Sequence, residues 1–522
     1  MARDFTKRHW PTWLFGVAFG IFLYSMMMAL QLTNTFDGLW DQNFRLAGAS
    51  ELSSGRWLLL YIDRLTMGLH ADPITSIVAL ALFVLGFLLV LDLLNLRNRF
   101  IAFLSVALWV SSTVISNILS YRKTSFGYSV AFFLAALGIY AALKVKNKFA
   151  AIALSGLSLG LAMAGYQAFL GIFCLGALFY IISLYTADDS PVPPLSAVLP
   201  ILLRVICSAV FGAVFYVATL FVVLKLNNTT ISTYNGIGDI TPLGLLKGLP
   251  RNLYEAYRTF VTYFLTDALK LNHLQRWGIL HLFVVLLVAL FLFLWIRAWK
   301  KNKRSLLVVV PAALVIPVAC SAYMLIAGDK LELQMTGGLA ILVPLTVALA
   351  FPHIEKWKPL RVIFAAFFVL LLYGNSLQVS FDQEAMYEGV NACETMATQV
   401  IADLNDEDLL SDQYEYYFIG VPARNDYFSV SDIFRRSNGY AQVGNFWVSG
   451  GCGQLSYWGL INNRMGIALP MAYPQYDEVA ALCDVENLPT FPNDGYITVV
   501  DDELVIIKIS EYAPYMEYSL YN

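Results

Sequence analysis

Apolar residues run through most of this chain in long unbroken blocks, with little alternation. The blocks lie at 13–32, 74–94, 101–120, 125–143, 149–165, 167–186, 198–224, 278–296, 305–327, 337–351 and 360–378. A helix needs about 20 apolar residues to cross a ~30 Å hydrocarbon core, so the pattern predicts an all-α polytopic membrane protein with about 11 transmembrane helices. The pair 149–165 and 167–186 reads either as two short helices meeting at Tyr166-Gln167 or as one long tilted helix. From Phe381 the pattern changes: 383–404 has helical spacing, 414–421 reads as a strand, and 496–509 reads as two strands around a short turn. The expected organisation is a membrane domain over 1–380 with large loops at 33–73 and 225–276, followed by a small α/β domain over 381–522.

Composition and charge placement sharpen this picture. Only 14% of the 522 residues are charged, against about 25% in a typical soluble protein. Lys and Arg gather in alternate short loops: Arg97 and Arg99; Lys144, Lys146 and Lys148; Arg297, Lys300, Lys301, Lys303 and Arg304; Lys356, Lys358 and Arg361. The positive-inside bias then sets the N-terminus, with Arg3, Lys7 and Arg8, in the cytoplasm. The first apolar run is long enough to be an uncleaved span. Both large loops and the C-terminal domain are expected to be extracytoplasmic. The acidic loop 186–196 is the exception to the bias.

The loop 33–73 concentrates charge between two apolar blocks, with Asp37, Asp41, Arg45, Glu51, Arg56, Asp63, Arg64 and Asp72. Such a loop is either a solvated connector or an active-site loop at the membrane surface. Asp37 and Asp41 are four apart, so a helical turn would put both on one side. A carboxylate near the interface can act as a base; a helix-capping pair is the plain alternative. Tyr166-Gln167 must find hydrogen bonds within apolar surroundings, either between helices or with a ligand. Arg56, Arg122, Lys123, Arg258 and Lys330 fall at outer span ends, where cations snorkel to the interface or, converging, bind phosphate. The segment 242–265 spaces Leu245, Leu249, Leu253 and Ala256 as an amphipathic interfacial helix, and 55–69 looks similar. Five scattered histidines and six scattered cysteines predict no metal site. Cys393, Cys452 and Cys483 in the tail allow at most one internal disulfide.

The order of several segments carries a resemblance. FDGLWD follows the first span, then come SSGRWLLLYI, GYQAFLGIF, STYNGIGDITPLG with LYEAYRTFVTYF, and NSLQVSFDQEAMYEGVNACETMATQVIADL. In this order they resemble the bacterial serotype-converting, type-two O-antigen glucosyltransferases. The resemblance implies a GT-C type fold and a membrane glycosyltransferase. Such an enzyme moves a hexose, expected to be glucose, from a polyprenyl-phosphate carrier to a cell-envelope glycan on the outer face, with inversion. It implies that the catalytic acid is Asp37 or, failing that, Asp41. Donor contacts are expected from Tyr166, Gln167, Arg56, Arg258, Arg122, Lys123 and Lys330. No cofactor is expected, a divalent metal remaining open; the partners are the lipid-linked donor, the glycan acceptor and the bilayer, with no nucleic acid. The other reading is a transporter or flippase of lipid-linked sugars. That class favours internal repeats and broken helices at the midplane, and no repeat is visible here.

The charge bias makes a direct prediction of topology. In a background without native cysteines, Gly238→Cys and Asn438→Cys should react with an impermeant thiol reagent applied to intact cells, and Lys301→Cys should not. Labelling of Lys301→Cys from outside would invert the arrangement.

Overall fold

The computed structural model describes residues 2–33, 45–186, 192–232, 242–266, 279–325, 332–422, 425, 427, 440–444, 453–474, 476–500 and 502–511. The fold is mostly helical. Among the described residues nine helices are long and apolar enough to cross a membrane, or ten if one bent pair is a single span. Contacts divide the chain into two compact units. One holds Met1–Tyr24, Leu46–Leu119 and Thr124–Leu377; the other holds Ser25–Arg45, Ser120–Lys123 and Gln378–Asn522.

The first unit is the helical one. It begins with α1 (Ala2–Leu23). The apolar run expected over 13–32 is divided at Tyr24 between α1 and the short α2 (Ser25–Ala29), which belongs to the second unit, and α1 is not among the nine helices. Two short helices follow, α3 (Ala49–Ser53) and α4 (Trp57–Leu65). Helix α4 buries Trp57, Leu60 and Asp63 and exposes Tyr61, Arg64 and Leu65, the two-faced helix that its spacing predicts. Then come α5 (Ile74–Leu93), α6 (Arg99–Val110), α7 (Thr113–Ser120) and α8 (Arg122–Lys144). The block 101–120 is bent by 48° between α6 and α7.

The open question at 149–186 resolves into two helices, α9 (Lys148–Gly165) and α10 (Leu170–Thr186), joined by a 3₁₀ turn at Gln167–Phe169. Next are α11 (Leu195–Leu226), α12 (Pro242–Leu265), α13 (Ile279–Lys301), α14 (Leu306–Cys320), α15 (Gly337–Ile354) and the 49-residue α16 (Lys358–Asp406), whose residues from Gln378 on belong to the second unit. The exposed side chains of α11 include Leu199, Ile206, Val210, Val214, Val217 and Phe221, a surface suited to lipid.

Small residues decide how α9 meets α11. A Cβ built on Gly160 would lie 2.8 Å from the carbonyl oxygen of Gly212, and one on Gly212 would lie 2.9 Å from that of Gly156. Gly156 and Gly160 are one turn apart, so the two backbones touch along one face, the packing that small residues allow between apolar helices. Asp92, near the end of α5, collects three partners. Arg8 Nη1 donates to its Oδ1 at 2.9 Å, His9 Nε2 lies 2.9 Å from the same oxygen, and Tyr140 Oη donates to Oδ2 at 3.0 Å. This cluster ties α1, α5 and α8 together.

The second unit contains a three-stranded sheet in the order β1 (Glu415–Ile419), β3 (Leu504–Lys508), β2 (Ile497–Val500). Strands β2 and β3 form the hairpin expected over 496–509, and β1 joins β3 in parallel. Alternating side chains cover both faces. Tyr416, Phe418, Val505 and Ile507 pack with Val390, Cys393, Ala397, Val400 and Leu404 of α16, which recur at helical spacing. Tyr417, Ile419 and Ile506 face Val479 and Val485 on the other side. Cys393 and Cys483 are free thiols; Cys452 lies outside the described residues. In the same unit Met27 N donates to Gln383 Oε1 at 2.8 Å and Thr33 Oγ1 to the Ser120 carbonyl at 3.1 Å.

The α9–α11 contact supplies a stability test. Gly160→Leu must push two backbones apart, and overpacking of this kind costs about 1–3 kcal/mol. The variant should melt several degrees below wild type in detergent, while Gly48→Ala, where a Cβ meets nothing within 4 Å, should not. Equal melting of Gly160→Leu and wild type would contradict the close crossing.

Candidate active site

The break between α9 and α10 organises the candidate site within the helical unit. Helix α9 ends at Gly165; Tyr166 is extended, with φ −161° and ψ 111°, and Gln167 opens the 3₁₀ turn. The extended residue turns the two side chains in different directions. Gln167 reaches the loop between α3 and α4, where its Nε2 donates to the Ser54 carbonyl at 3.0 Å and to Tyr216 Oη at 2.9 Å. Tyr216, on α11, donates in turn to the Gly55 carbonyl at 3.2 Å. Gly55 has φ +80°, and a Cβ there would collide with Tyr216 Oη, so conformation and space both call for glycine.

Arg56 follows directly and caps the start of α4. Its backbone N–H donates to the Glu51 carbonyl at 2.8 Å. Its Nη1 donates to Tyr128 Oη at 2.9 Å. The guanidinium carbon lies 5.3 Å from the centre of the Tyr166 ring and 5.9 Å from that of Tyr128. Those two rings stack on each other at 4.2 Å with an interplanar angle of 20°. Arg56 therefore rests against a double aromatic platform, a cation–π arrangement that leaves the charge in place while limiting its motion. Tyr166 is 1% exposed, and its hydroxyl is buried without a hydrogen-bond partner. Tyr323 and Glu332 are close enough to Tyr166 to interact with it electrostatically.

The loop leading to Arg56 is held by buried acids. Glu51 caps the Gly48 N–H at 2.8 Å, and Asp63 Oδ2 accepts from the Ala47 N–H at 2.8 Å. His70 Nε2 lies 4.0 Å from the same Asp63 oxygen. These contacts fix the chain just downstream of the segment with Asp37 and Asp41, both of which lie outside the described residues.

Of the anticipated site residues, Arg56, Tyr166 and Gln167 come together. Lys330 lies outside the described residues. Arg122 and Lys123 belong to the other unit, where Arg122 Nη1 donates to Gln31 Oε1 at 2.9 Å. Arg258 is 64% exposed on α12 and reaches Glu255 one turn back at 3.3 Å. On its helix Ala256, Tyr263 and Phe264 are buried and Tyr254 and Val261 exposed; of the apolar face expected there, Ala256 is buried and Leu249 is exposed. Among the described residues no group of three or more His, Cys, Asp or Glu side chains is placed to hold a metal ion.

A family model described as Glucosyl transferase GtrII matches residues 29–333, more than half of the chain. The chain belongs to the GtrII glucosyl transferase family. No curated protein and no solved structure matches it. The GtrII match covers Arg56, Tyr128, Tyr166, Gln167, Tyr216, Tyr323 and Glu332 together, so the whole cluster falls in the part of the chain that carries the family likeness.

Sequence reasoning missed Tyr128, Tyr216 and Tyr323. Each is a tyrosine inside an otherwise apolar block, and a hydroxyl in such a block needs a partner or a purpose. Asp92 was missed for the same reason, although a lone acid at the end of an apolar block is itself a signal. The bracing also gives an expected outcome. Gln167→Leu would leave the Ser54 carbonyl and the Tyr216 hydroxyl oxygen without the donor they share, at about 1–3 kcal/mol for such groups. It should lower the melting temperature in detergent, and Gln167→Glu should not restore it, because a carboxylate cannot donate to Ser54. Unchanged melting of Gln167→Leu would contradict the bracing role.

Proposed function

We propose that this membrane glucosyl transferase takes glucose from a polyprenyl-phosphate carrier and transfers it to a cell-envelope glycan, of the O-antigen kind, on the outer face of the membrane. The observation that carries the reading is Arg56, buttressed by Tyr128 and Tyr166 and braced from behind by Gln167, Ser54 and Gly55. A phosphodiester leaving group calls for a fixed cation of this kind. The site lies at the ends of long apolar helices, where a lipid-linked substrate can stay partly in hydrocarbon. A donor carried in the membrane also suits an outer-face enzyme, which has no sugar nucleotides at hand. The family membership favours transfer over transport. The architecture we assign is GT-C type, with the C-terminal domain extracytoplasmic.

In this reading the acceptor hydroxyl attacks the anomeric carbon from the face opposite the phosphate. A carboxylate, Asp37 or failing it Asp41, takes the hydroxyl proton. The bond between the anomeric carbon and the phosphate oxygen breaks, and its electron pair leaves with the polyprenyl phosphate. The products are the glucosylated glycan with inverted configuration and the polyprenyl phosphate. Arg56 stabilises charge that grows on the phosphate as the bond breaks, so its contribution is larger in the transition state than in the bound donor. Tyr166 shapes the platform, and Gln167 acts as a positioning residue through Ser54 and Tyr216. Arg122, Lys123 and Lys330 are proposed as further cations that draw the anionic donor to the surface, and Arg258 as one at the membrane interface.

The test is transfer of labelled glucose from synthetic polyprenyl-phosphate glucose to purified envelope fractions. Loss of a general base costs about 10²–10⁴-fold in rate. Asp37→Asn should be inserted and folded but fall by that factor, while Asp41→Asn should keep measurable turnover. A dead Asp41→Asn beside an active Asp37→Asn would move the base to Asp41. Full activity in both variants would refute the mechanism.

A further inference from the structure

Tyr323 lies in the 3₁₀ turn Ala322–Leu325 that follows α14. It is 5% exposed, and its hydroxyl is buried without a hydrogen-bond partner, like that of Tyr166. Buried hydroxyls are almost always partnered, and leaving one unmade works against the fold. Two such hydroxyls here belong to neighbouring pieces of chain. The turn carrying Tyr323 packs against the Gln167–Phe169 turn that follows Tyr166. Tyr323 and Arg56 both interact electrostatically with Tyr166.

The backbone around Tyr323 is well tied down. Met324 N donates to the Ser321 carbonyl at 2.9 Å. From α12, Thr259 Oγ1 donates to Met324 Sδ and Asn252 Nδ2 to the Leu325 carbonyl, each at 3.4 Å. The turn is thus held on two sides while the hydroxyl it carries is left unmatched. Sites that sacrifice stability in this way are where local rules break for the sake of a ligand.

We propose that the hydroxyls of Tyr323 and Tyr166, together with the Arg56 guanidinium, form the seat of the donor's phosphate. The ligand class is a phosphate ester on a lipid. The two phenols donate to its non-bridging oxygens, and Arg56 balances its charge. Tyr323 is thereby a binding residue of the transferase site. This inference rests on the lipid-linked donor reading above and names the residues that read the phosphate.

The test uses the full-length protein in detergent and follows thermal unfolding against added lipid. The probes are a short-chain polyprenyl monophosphate and, separately, phosphatidic acid. Without lipid, Tyr323→Phe should melt at or above the wild-type temperature, because the substitution removes an unpartnered hydroxyl and nothing else. With polyprenyl monophosphate, wild type should be stabilised, and Tyr323→Phe should need about 10- to 100-fold more lipid for the same shift, the usual effect of one hydrogen bond to a charged group. Phosphatidic acid should stabilise neither protein to that extent. Wild-type stabilisation with an unchanged response in Tyr323→Phe would overturn this inference alone. So would a Tyr323→Phe that melts well below wild type without lipid, since the hydroxyl would then be holding the fold. Equal stabilisation of wild type by phosphatidic acid would make the seat one for any lipid phosphate and overturn its assignment to the donor. A wild type that polyprenyl monophosphate leaves unmoved would overturn the lipid-donor reading itself.

Discussion

The side-chain amide of Gln167 is the joint on which the candidate site depends. One nitrogen bridges the Ser54 carbonyl and the Tyr216 hydroxyl, and so links the α9–α10 break, the turn before α4 and helix α11. Each bond has a modest net value, about 0.5–1.5 kcal/mol. The geometric consequence is larger. Ser54 and Gly55 immediately precede Arg56, so wherever the amide holds them the guanidinium must follow. Tyr216 can reach the joint because α9 and α11 meet through glycine, with Gly156, Gly160 and Gly212 allowing the backbones to touch. A bulky residue at that crossing would move Tyr216 away from Gly55 and loosen the turn that presents Arg56.

Helix α8 carries this constraint along the bundle. Tyr128 accepts from Arg56 near its start, and Tyr140 donates to Asp92 near its end. The two tyrosines are twelve residues apart, about 18 Å along the axis. Asp92 also holds Arg8 and His9 of α1. Asp92 is itself buried while Arg8 is half exposed, and a buried carboxylate that lost one of these partners would be left short of a hydrogen bond, so the cluster anchors that end of α8. Fixing one end of a rigid helix fixes the height of the other. The polar network far from Arg56 thereby helps to set the platform on which Arg56 rests, with no chemistry of its own.

The helical architecture was legible in the sequence because lipid allows few alternatives: long apolar blocks must be helices. The C-terminal sheet was legible for a local reason, since the alternating residues of 496–509 mark a hairpin. The break at Tyr166-Gln167 was visible as a possibility and needed the structure to decide it, because a Gln in an apolar block fits a bent pair and a long helix equally well. The division of the first apolar run at Tyr24 was hidden, as nothing in its hydropathy marks the junction. The site was legible only in part. Arg56 stood out as a charge at a span end, but so did Arg258, which is exposed on α12 and paired with Glu255. Hydropathy cannot tell a cation that points outward from one laid on aromatic rings. Tyr128, Tyr216 and Tyr323 count as ordinary apolar-block residues in any periodicity, and only packing brings Tyr128 to Arg56, Tyr216 to Gln167 and the Tyr323 turn to the turn after Tyr166.

Arg56 is proposed to hold the phosphate of a lipid-linked donor. The most direct measurement is steady-state glucose transfer by Arg56→Gln as a function of donor and of acceptor concentration separately. In Arg56→Gln kcat should fall and the donor KM rise, because the variant loses both charge balance in the transition state and ground-state binding, while the acceptor KM should stay close to wild type. An Arg56→Gln enzyme with unaltered kcat and donor KM, or one impaired only in its acceptor KM, would contradict it.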